Sequence, residues 1–186
     1  STGCQTPASD SPEDAAAARA ALLPGKVGPS GEVVMVVSEA RWNRGIGAAV
    51  DSVFRRPVRV LPQYEPRFDI IRLDPEEFDR FWRPHRNLVV FDIADRVDTQ
   101  TPTLRVMRSR HAKGQIYVEI KARTVQAAAD LLLDPAEGEM LADLLEGEEA
   151  KRYRALLALD RNAVLKQKVL EQHGLTSVLP RDAQLV

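Results

Sequence analysis

The stretch VVMVV at residues 33–37 is an unbroken apolar run in which most side chains are β-branched. A strand with one wet face would alternate polar and apolar residues, whereas a continuous run is typical of a strand buried on both faces. Such a strand needs packed elements on each side of its sheet. The run therefore predicts an interior strand, and the sequence on either side of it indicates what covers the sheet.

Strand signals recur along the chain after this run. Residues 68–73, 87–93, 103–110 and 115–122 are rich in apolar and β-branched residues. In the last of these, Ile116, Val118 and Ile120 alternate with Tyr117, Glu119 and Lys121, which predicts one buried and one wet side. The segments 103–110 and 115–122 are close in sequence and are predicted to pair with each other.

Helix signals are interspersed with these strands. Predicted helices cover residues 45–56, 74–82 and most of 124–173, the last with breaks near Pro135 and Gly147. A short strand is predicted at 176–179. The connections are too varied for a repeated βαβ unit, so the predicted class is α+β: a mixed, mainly antiparallel sheet covered by helices, with a long C-terminal helical segment.

The bulk composition is that of a folded domain. The 186 residues are 44% hydrophobic, which is enough for a core in one domain, or in one domain with a tail. The net charge of −1 hides a basic middle, because residues 41–123 carry +6 while 1–40 carry −3 and 124–186 carry −4. Such a middle could steer an anionic partner, although it more often marks faces that are differently solvated.

Residue types that hold metals and cofactors are sparse. The single cysteine, Cys4, excludes a disulfide framework and a cysteine-rich zinc site. His85, His111 and His173 lack metal-ligand spacing and are predicted to be ordinary surface or helix-end residues. No metal and no cofactor is predicted, and no apolar run reaches the roughly 18 residues that a membrane-spanning helix needs.

The chain begins Ser1-Thr2-Gly3-Cys4, with small residues directly before the cysteine. This order matches the site at which a lipoprotein signal peptidase cleaves, leaving the cysteine to carry lipid, and predicts a lost upstream segment. Residues 1–31 are rich in Ala, Pro, Ser, Gly and acid, so they are predicted to form a largely flexible tether that is lipid-anchored through Cys4. The other interpretation is a chance free cysteine near a frayed terminus.

Motifs for catalysis and nucleotide binding are weak. Gly45-Ile46-Gly47 follows a strand and opens a helix, but Val50 occupies the third glycine position of a dinucleotide fingerprint. No serine has a nucleophile elbow around it, and the arginine-rich middle lacks the interleaved aromatic residues of a nucleic-acid surface. A paired-carboxylate site stays open, formed by Glu65 with Asp69 or Asp92.

Two polar residues interrupt the apolar face of the last predicted helix, Glu148 to His173. At 100° per residue, Asp160 and Gln167 fall in the middle of that face. Burying a polar group is destabilising unless it is paired, so both are predicted to be buried and to bond to strand ends or a core arginine.

Four short motifs give the chain a family resemblance. They are residues 61–68 (LPQYEPRF), residues 86–88 (RNL), residues 112–115 (AKGQ) before a strand, and the turn from Trp42 to Gly45. With the lipobox-like start, this order resembles an uncharacterised bacterial envelope lipoprotein family, domain of unknown function 4837, from about Glu32 onward. Gly114 departs from the pattern, which has proline there. The resemblance implies a lipid-anchored address and no activity; because the family chains are longer, residues 32–186 are expected to be a single α+β domain or the first half of one.

The shared motifs also define a candidate polar site. Pro62 and Pro66 exclude helix, so Gln63 and Glu65 are presented on a stiff segment before a strand. Further polar residues stand at the entrances of later predicted strands: Arg86, Asn87 and Gln115. If these entrances are neighbours, Glu65 is expected to pair with Arg86. The network would then either hold this proline-containing segment in place or form a binding site.

Two functional hypotheses follow. The first is a non-catalytic, lipid-anchored domain of the bacterial cell envelope that faces the periplasm or the exterior and binds an envelope protein or a wall component. Its contact with the membrane is the lipid on Cys4, and nucleic acid is not a predicted partner. The alternative is a hydrolase-like envelope enzyme that uses a carboxylate site around Glu65.

Overall fold

The apolar run at 33–37 lies in strand β1 (Glu32–Val36) of a five-stranded sheet. The computed structural model describes residues 21–57, 65–94, 100–159, 162–176, 181 and 183. The other strands are β2 (Asp69–Leu73), β3 (Asn87–Ile93), β4 (Thr103–Arg108) and β5 (Ile116–Ala122). Each agrees with a strand predicted from the sequence to within two residues at either end.

The strands lie in the order β2-β1-β3-β5-β4. β1 pairs in parallel with β2 and β3, β3 pairs in parallel with β5, and β4 pairs with β5 in the antiparallel sense. The α+β class with a mixed sheet is confirmed, but parallel pairs outnumber the antiparallel one that the sequence analysis favoured. The long segments after β1 and β2 return the chain to the edge of the sheet where the preceding strand began, so the next strand runs in the same direction. The short link 109–115 makes no such return, so β4 and β5 are antiparallel.

The centre of the sheet is formed by β1, β3 and β5. Val33, Val34 and Met35 are fully buried, as the unbroken apolar run predicts. The two edge strands, β2 and β4, are partly exposed. The edge strand β4 carries two exposed arginines, Arg105 and Arg108, which suit its position, because charged side chains on an edge discourage pairing with a second chain.

Four helices accompany the sheet in the described chain: α1 (Gly47–Phe54), α2 (Val125–Leu133), α3 (Met140–Leu159) and α4 (Ala163–His173). A helical turn (Glu39–Arg41) and a π-helical turn (Trp42–Ile46) lead from β1 into α1. Gly45 has φ 139° there, a conformation that side chains rarely adopt. α2 begins at Thr124, whose side chain accepts a hydrogen bond from the N–H of Ala127.

The helix predictions at residues 74–82 and at Gly147 are wrong. Residues 74–82 form turns, although Phe78 and Trp82 have helical spacing. Both side chains pack on one face of the sheet, against a cluster that includes Val34, Leu88 and Tyr117. Their spacing therefore reflects a common packing surface. The predicted break at Gly147 is also absent, because α3 runs through it.

The predicted break near Pro135 is confirmed. Asp134 accepts a hydrogen bond from the N–H of Ala136 and caps a π-helical turn, Pro135–Glu139, before α3. The single long helix predicted over 148–173 is two helices, because α3 ends at Leu159 and Asn162 caps α4 through the N–H of Leu165. The strand predicted at 176–179 lies almost wholly outside the described residues.

The chain divides into two compact units, residues 1–142 and 143–186. The first contains the sheet, α1 and α2; the second contains most of α3, and α4 with its C-terminal cap at Gly174, where φ is 65°. Part of the segment assigned to the tether is hydrogen-bonded in the first unit. The O of Pro24 accepts from the N–H of Lys113, and the O of Val27 accepts from the N–H of Arg86.

Candidate functional site

The amino edge of the sheet, where the four parallel strands begin, holds three of the five residues of the candidate polar site. The parallel register aligns Asn87 with Ile116, so that the chain enters β3 and β5 at adjacent positions. Arg86 and Gln115 directly precede those two residues. Topology therefore brings two of the shared motifs together.

Gln115 is fully buried and all of its observed bonds go to main-chain atoms. Its Nε2 donates to the O of Arg83 and to the O of His85, each at 2.6 Å. Its Oε1 accepts from the N–H of His111 at 2.9 Å. One amide thus joins the segment before β3 to the turn before β5, which explains why a polar residue stands in the interior here.

Asn87 and His85 continue this network toward β1. Asn87 is fully buried and its Nδ2 donates to the O of Glu32 at 3.0 Å. His85 is 3% exposed, and its Nε2 lies 2.6 Å from Oε1 of Glu32. The prediction that His85 is an ordinary surface or helix-end residue is therefore wrong.

Sequence reasoning missed the contact between Glu32 and His85, although one signal was present. His85 stands just before a buried strand, where a polar ring must find partners or be expelled. Gly28 supplies the room: a Cβ at this position would lie 2.3 Å from Nε2 of His85. The glycine also has φ 97°, so two independent constraints exclude a side chain there.

The predicted pair of Glu65 with Arg86 does not form within the parts of the chain that the structure describes. Glu65 is exposed, whereas Arg86 is partly buried at the entrance of β3. After the proline-rich stretch, Nη1 of Arg67 lies 3.1 Å from Oε1 of Glu139, and the Arg67 side chain is only 12% exposed. Gln63 lies outside the described residues.

The two carboxylate pairings proposed for Glu65 also differ in their geometry. Asp69 is the first residue of β2 and is exposed at the amino edge. Asp92 is near the end of β3, and because β3 and β2 both run parallel to β1, Asp92 lies toward the opposite edge. A site shared by Glu65 and Asp92 is therefore excluded by the strand directions.

The carboxyl edge of the sheet contains a cavity of about 340 Å³. We call it the arginine cavity; the described residues that line it are Arg41, Arg44, Ile93, Ala94, Arg123, Thr124 and Val125. They come from three separate segments: the turns after β1, the end of β3, and the junction of β5 with α2. Open sheets with parallel strands bind ligands in crevices outside these carboxyl ends, where neighbouring connections diverge.

Three guanidinium groups give the arginine cavity a strongly positive lining. Arg41 is partly buried, and its Nη2 donates to the O of Ile93 at 2.6 Å. Arg44 and Arg123 are exposed. Among the described residues, no carboxylate lines the cavity or forms an ion pair with these three arginines.

The end of β2, at the same edge, is electrostatically different. Nη1 of Arg72 lies 2.5 Å from Oδ2 of Asp74 and also donates to the O of Val37. The hydrogen bond from Arg72 lowers the pKa of Asp74, and a further bond from the N–H of Glu39 acts in the same direction. Arg72 therefore has a carboxylate partner within the fold. The arginines of the arginine cavity have no such partner among the described residues.

The remaining candidates lie elsewhere. Gln167 is exposed and bonds to Glu171 along α4, so its predicted burial is wrong; Asp160 and Cys4 lie outside the described residues. In the described part of the chain, no cluster of three potential metal ligands occurs. Among the same residues, no helix has the length and apolarity to cross a membrane.

Fold and site together define a mixed α+β domain with a basic cavity at the carboxyl edge of its sheet. The family model described as Domain of unknown function (DUF8532) matches residues 26–157. The match covers more than half of the 186 residues, so the chain belongs to this family. An uncharacterised domain of unknown function is thereby confirmed, while neither the family number 4837 nor a lipoprotein nature is. No curated protein and no solved structure matches the chain.

Proposed function

We propose that this chain is a lipid-anchored protein of the bacterial cell envelope and that its folded part is a non-catalytic binding domain. The order Ser1-Thr2-Gly3-Cys4 and the resemblance to an envelope lipoprotein family support the location. The ligand is then a component of the envelope or a molecule that reaches its surface.

The arginine cavity is the observation that carries the binding function. Its volume of about 340 Å³ is at the small end of the range of ligand sites. Arginine stays protonated in proteins and donates fixed hydrogen bonds, so it can hold a ligand but cannot exchange protons with it near neutral pH. The hydroxyl of Thr124 accepts from the N–H of Ala127 and helps to begin α2. These groups are suited to binding.

The amino edge supports the same conclusion. Asn87 and Gln115 direct their amides at main-chain atoms of neighbouring segments. Groups committed in this way hold the architecture and are poorly placed to contact a substrate. Glu65, the centre of the alternative enzyme hypothesis, is exposed and shares no hydrogen bond with Arg86 among the described residues.

A ligand panel tests the binding function. The purified chain is heated with small molecules that are anionic, neutral or cationic, in buffer free of phosphate and sulfate. A ligand that binds only the native state raises the midpoint of unfolding in proportion to the logarithm of its concentration. We expect at least one class to do so and to be recovered chemically unchanged. Chemical conversion of the ligand would show that the chain is an enzyme. If none of the three classes stabilises the chain, the binding function is refuted.

A further inference from the structure

We infer that the arginine cavity binds a phosphate group, carried as a phosphate monoester or present as the free anion. This inference rests on the proposed binding function and names the ligand class of the same site. It is carried by the charge, position and geometry of three arginines, none of which is a residue of the candidate polar site in the sequence analysis.

Charge is the first argument. Three cations line one small cavity, and no described carboxylate balances them. An anion that enters the cavity is attracted by each of these positive charges. A phosphate monoester near neutral pH carries close to two negative charges and three terminal oxygens, which together can accept from several guanidinium groups.

The state of the three side chains is the second argument. Arg41 is already fixed, because Nη2 donates to the O of Ile93 at 2.6 Å and the side chain is partly buried. The remaining N–H groups of its planar fork keep a defined direction. Arg44 and Arg123 are exposed on two different segments of the lining, so both side chains are accessible to a ligand in the cavity.

Position is the third argument. The cavity lies outside the carboxyl ends of β3 and β5, next to the turns that follow β1. The chain from β1 goes to its neighbour β2 on one side, and β3 lies on its other side. Diverging connections of this kind leave a crevice. The amino end of α2, at Thr124 and Val125, lies in the lining and adds a partial positive charge, as an auxiliary to the arginines.

The test is isothermal titration calorimetry in chloride buffer, with inorganic phosphate and glycerol 3-phosphate as probes and succinate as a dicarboxylate control. We expect both phosphates to bind at one site, more tightly than succinate and more weakly as salt is raised. Arg44→Gln and Arg123→Gln should each weaken phosphate binding about tenfold or more, since a charge-assisted bond is lost. Arg105→Gln removes an exposed arginine of β4 outside the cavity and should leave the affinity unchanged.

A second measurement guards against a variant that fails to fold. Backbone amide shifts of the unaltered protein, followed by NMR during phosphate titration, should move at Ala94, Thr124 and Val125. Movement confined to the amino edge, around Asn87 and Gln115, would overturn the site. So would equal phosphate affinity in the unaltered protein and in a folded Arg44→Gln, Arg123→Gln double variant.

Two further comparisons distinguish a lipid headgroup from other sources of phosphate, and the phosphate inference from the proposed binding function. Vesicles of phosphatidylcholine with phosphatidic acid are compared with plain phosphatidylcholine vesicles, and binding to the former alone would assign the phosphate to a lipid headgroup. If succinate or a neutral compound occupies the cavity while phosphate does not, the phosphate inference fails and the binding function stands. If no probe perturbs the cavity, both fail.

Discussion

At the scale of single residues, Gln115 shows how much of this fold depends on buried amides. Its side chain serves two carbonyl groups and one N–H group from the segments before β3 and β5. Leucine has a similar size but no hydrogen-bonding groups, so Gln115→Leu leaves those main-chain groups buried without a partner. We expect the free energy of unfolding to fall by about 2–4 kcal/mol in urea melts.

The matched control is Gln167→Leu, on an exposed face of α4. There the amide bonds to Glu171 in solvent, and the change should be below about 0.5 kcal/mol. Equal, small losses in the two variants would show that the buried network contributes little. This comparison also checks the burial of Gln115 against the exposure of Gln167, which sequence periodicity assigned wrongly.

His111 provides a pH-dependent test at the same scale. Its ring packs edge-on against Phe78 and Tyr117. Burial lowers the pKa of His111 below the ordinary value of a histidine, and the positive charges of Arg110 and Arg83 lower it further. A depressed folded pKa means that the unfolded chain binds the proton more readily, so this contribution to stability is complete above about pH 6.5 and is lost as the pH falls through the folded pKa.

The measurement is the urea midpoint of the unaltered protein and of His111→Phe, from pH 7.5 downward. Both proteins share every other titrating group, so the difference between them isolates His111. We expect the unaltered protein to lose more stability on acidification than the variant, which keeps an aromatic ring but has no proton to bind. Identical pH dependence in the two proteins would contradict the lowered pKa.

At the scale of elements, alanine substitutions at two helical glycines are expected to have opposite effects on stability. A Cβ at Gly138, in the π-helical turn before α3, would lie 1.8 Å from the main-chain O of Leu132. Backbone must move to relieve such a contact, so Gly138→Ala should destabilise the protein by about 1–3 kcal/mol or more. A Cβ at Gly147, in the interior of α3, would meet nothing within 4 Å.

Gly147→Ala should therefore stabilise the protein by about 0.5–1 kcal/mol, because alanine loses less backbone entropy in a helix than glycine does. Denaturant melts of both variants decide the matter. A stabilising Gly138→Ala would contradict the close approach to Leu132. A destabilising Gly147→Ala would indicate that the helix is interrupted at this point, as the sequence pattern suggested.

The elements that were predicted correctly are those whose signals are local. The β-branched runs, the start of a helix after Thr124 and the stop at Asp134-Pro135 depend on a few neighbouring residues, and each has its expected place in the structure. The turn region 74–82 was misassigned because residues 74–77 (DPEE) have the sequence of a helix start, whereas Phe78 and Trp82 pack on the sheet from turns. Gly147 was misassigned because a single glycine weakens a helix without ending it.

At the scale of the whole molecule, strand order was beyond local patterns. The pairing of β4 with β5 joins segments that are adjacent in sequence, and it was predicted; the parallel pairs join distant segments. The candidate residues likewise divide into those with a local sequence signal and those brought together only by the fold. Asn87 and Gln115 could be chosen as strand entrances, whereas the arginine cavity exists only because topology brings Arg41, Ala94 and Arg123 to one edge. No sequence motif indicates that these three segments lie close together.

The attachment of the whole molecule to a membrane is the last prediction, and it concerns Cys4. This is the single cysteine of the chain, so any thioether-linked lipid must be on it. One acyl chain holds a protein only weakly, whereas diacylglycerol with an additional N-acyl group gives stable anchoring. We expect intact-mass measurement on protein from its native membrane to show these additions together, and the protein to stay with the membrane when salt is raised.

Cys4→Ser, expressed from the native reading frame, is the control. It removes the lipid attachment site and leaves the folded part unaltered, so the variant should unfold at the same urea concentration as the parent but should not carry the lipid mass. Cys4 that reacts with a maleimide in the native membrane fraction would contradict lipid attachment. Because phosphate binding is assayed on the purified chain, that result would remove the membrane address and leave the arginine cavity to be judged by its own titration.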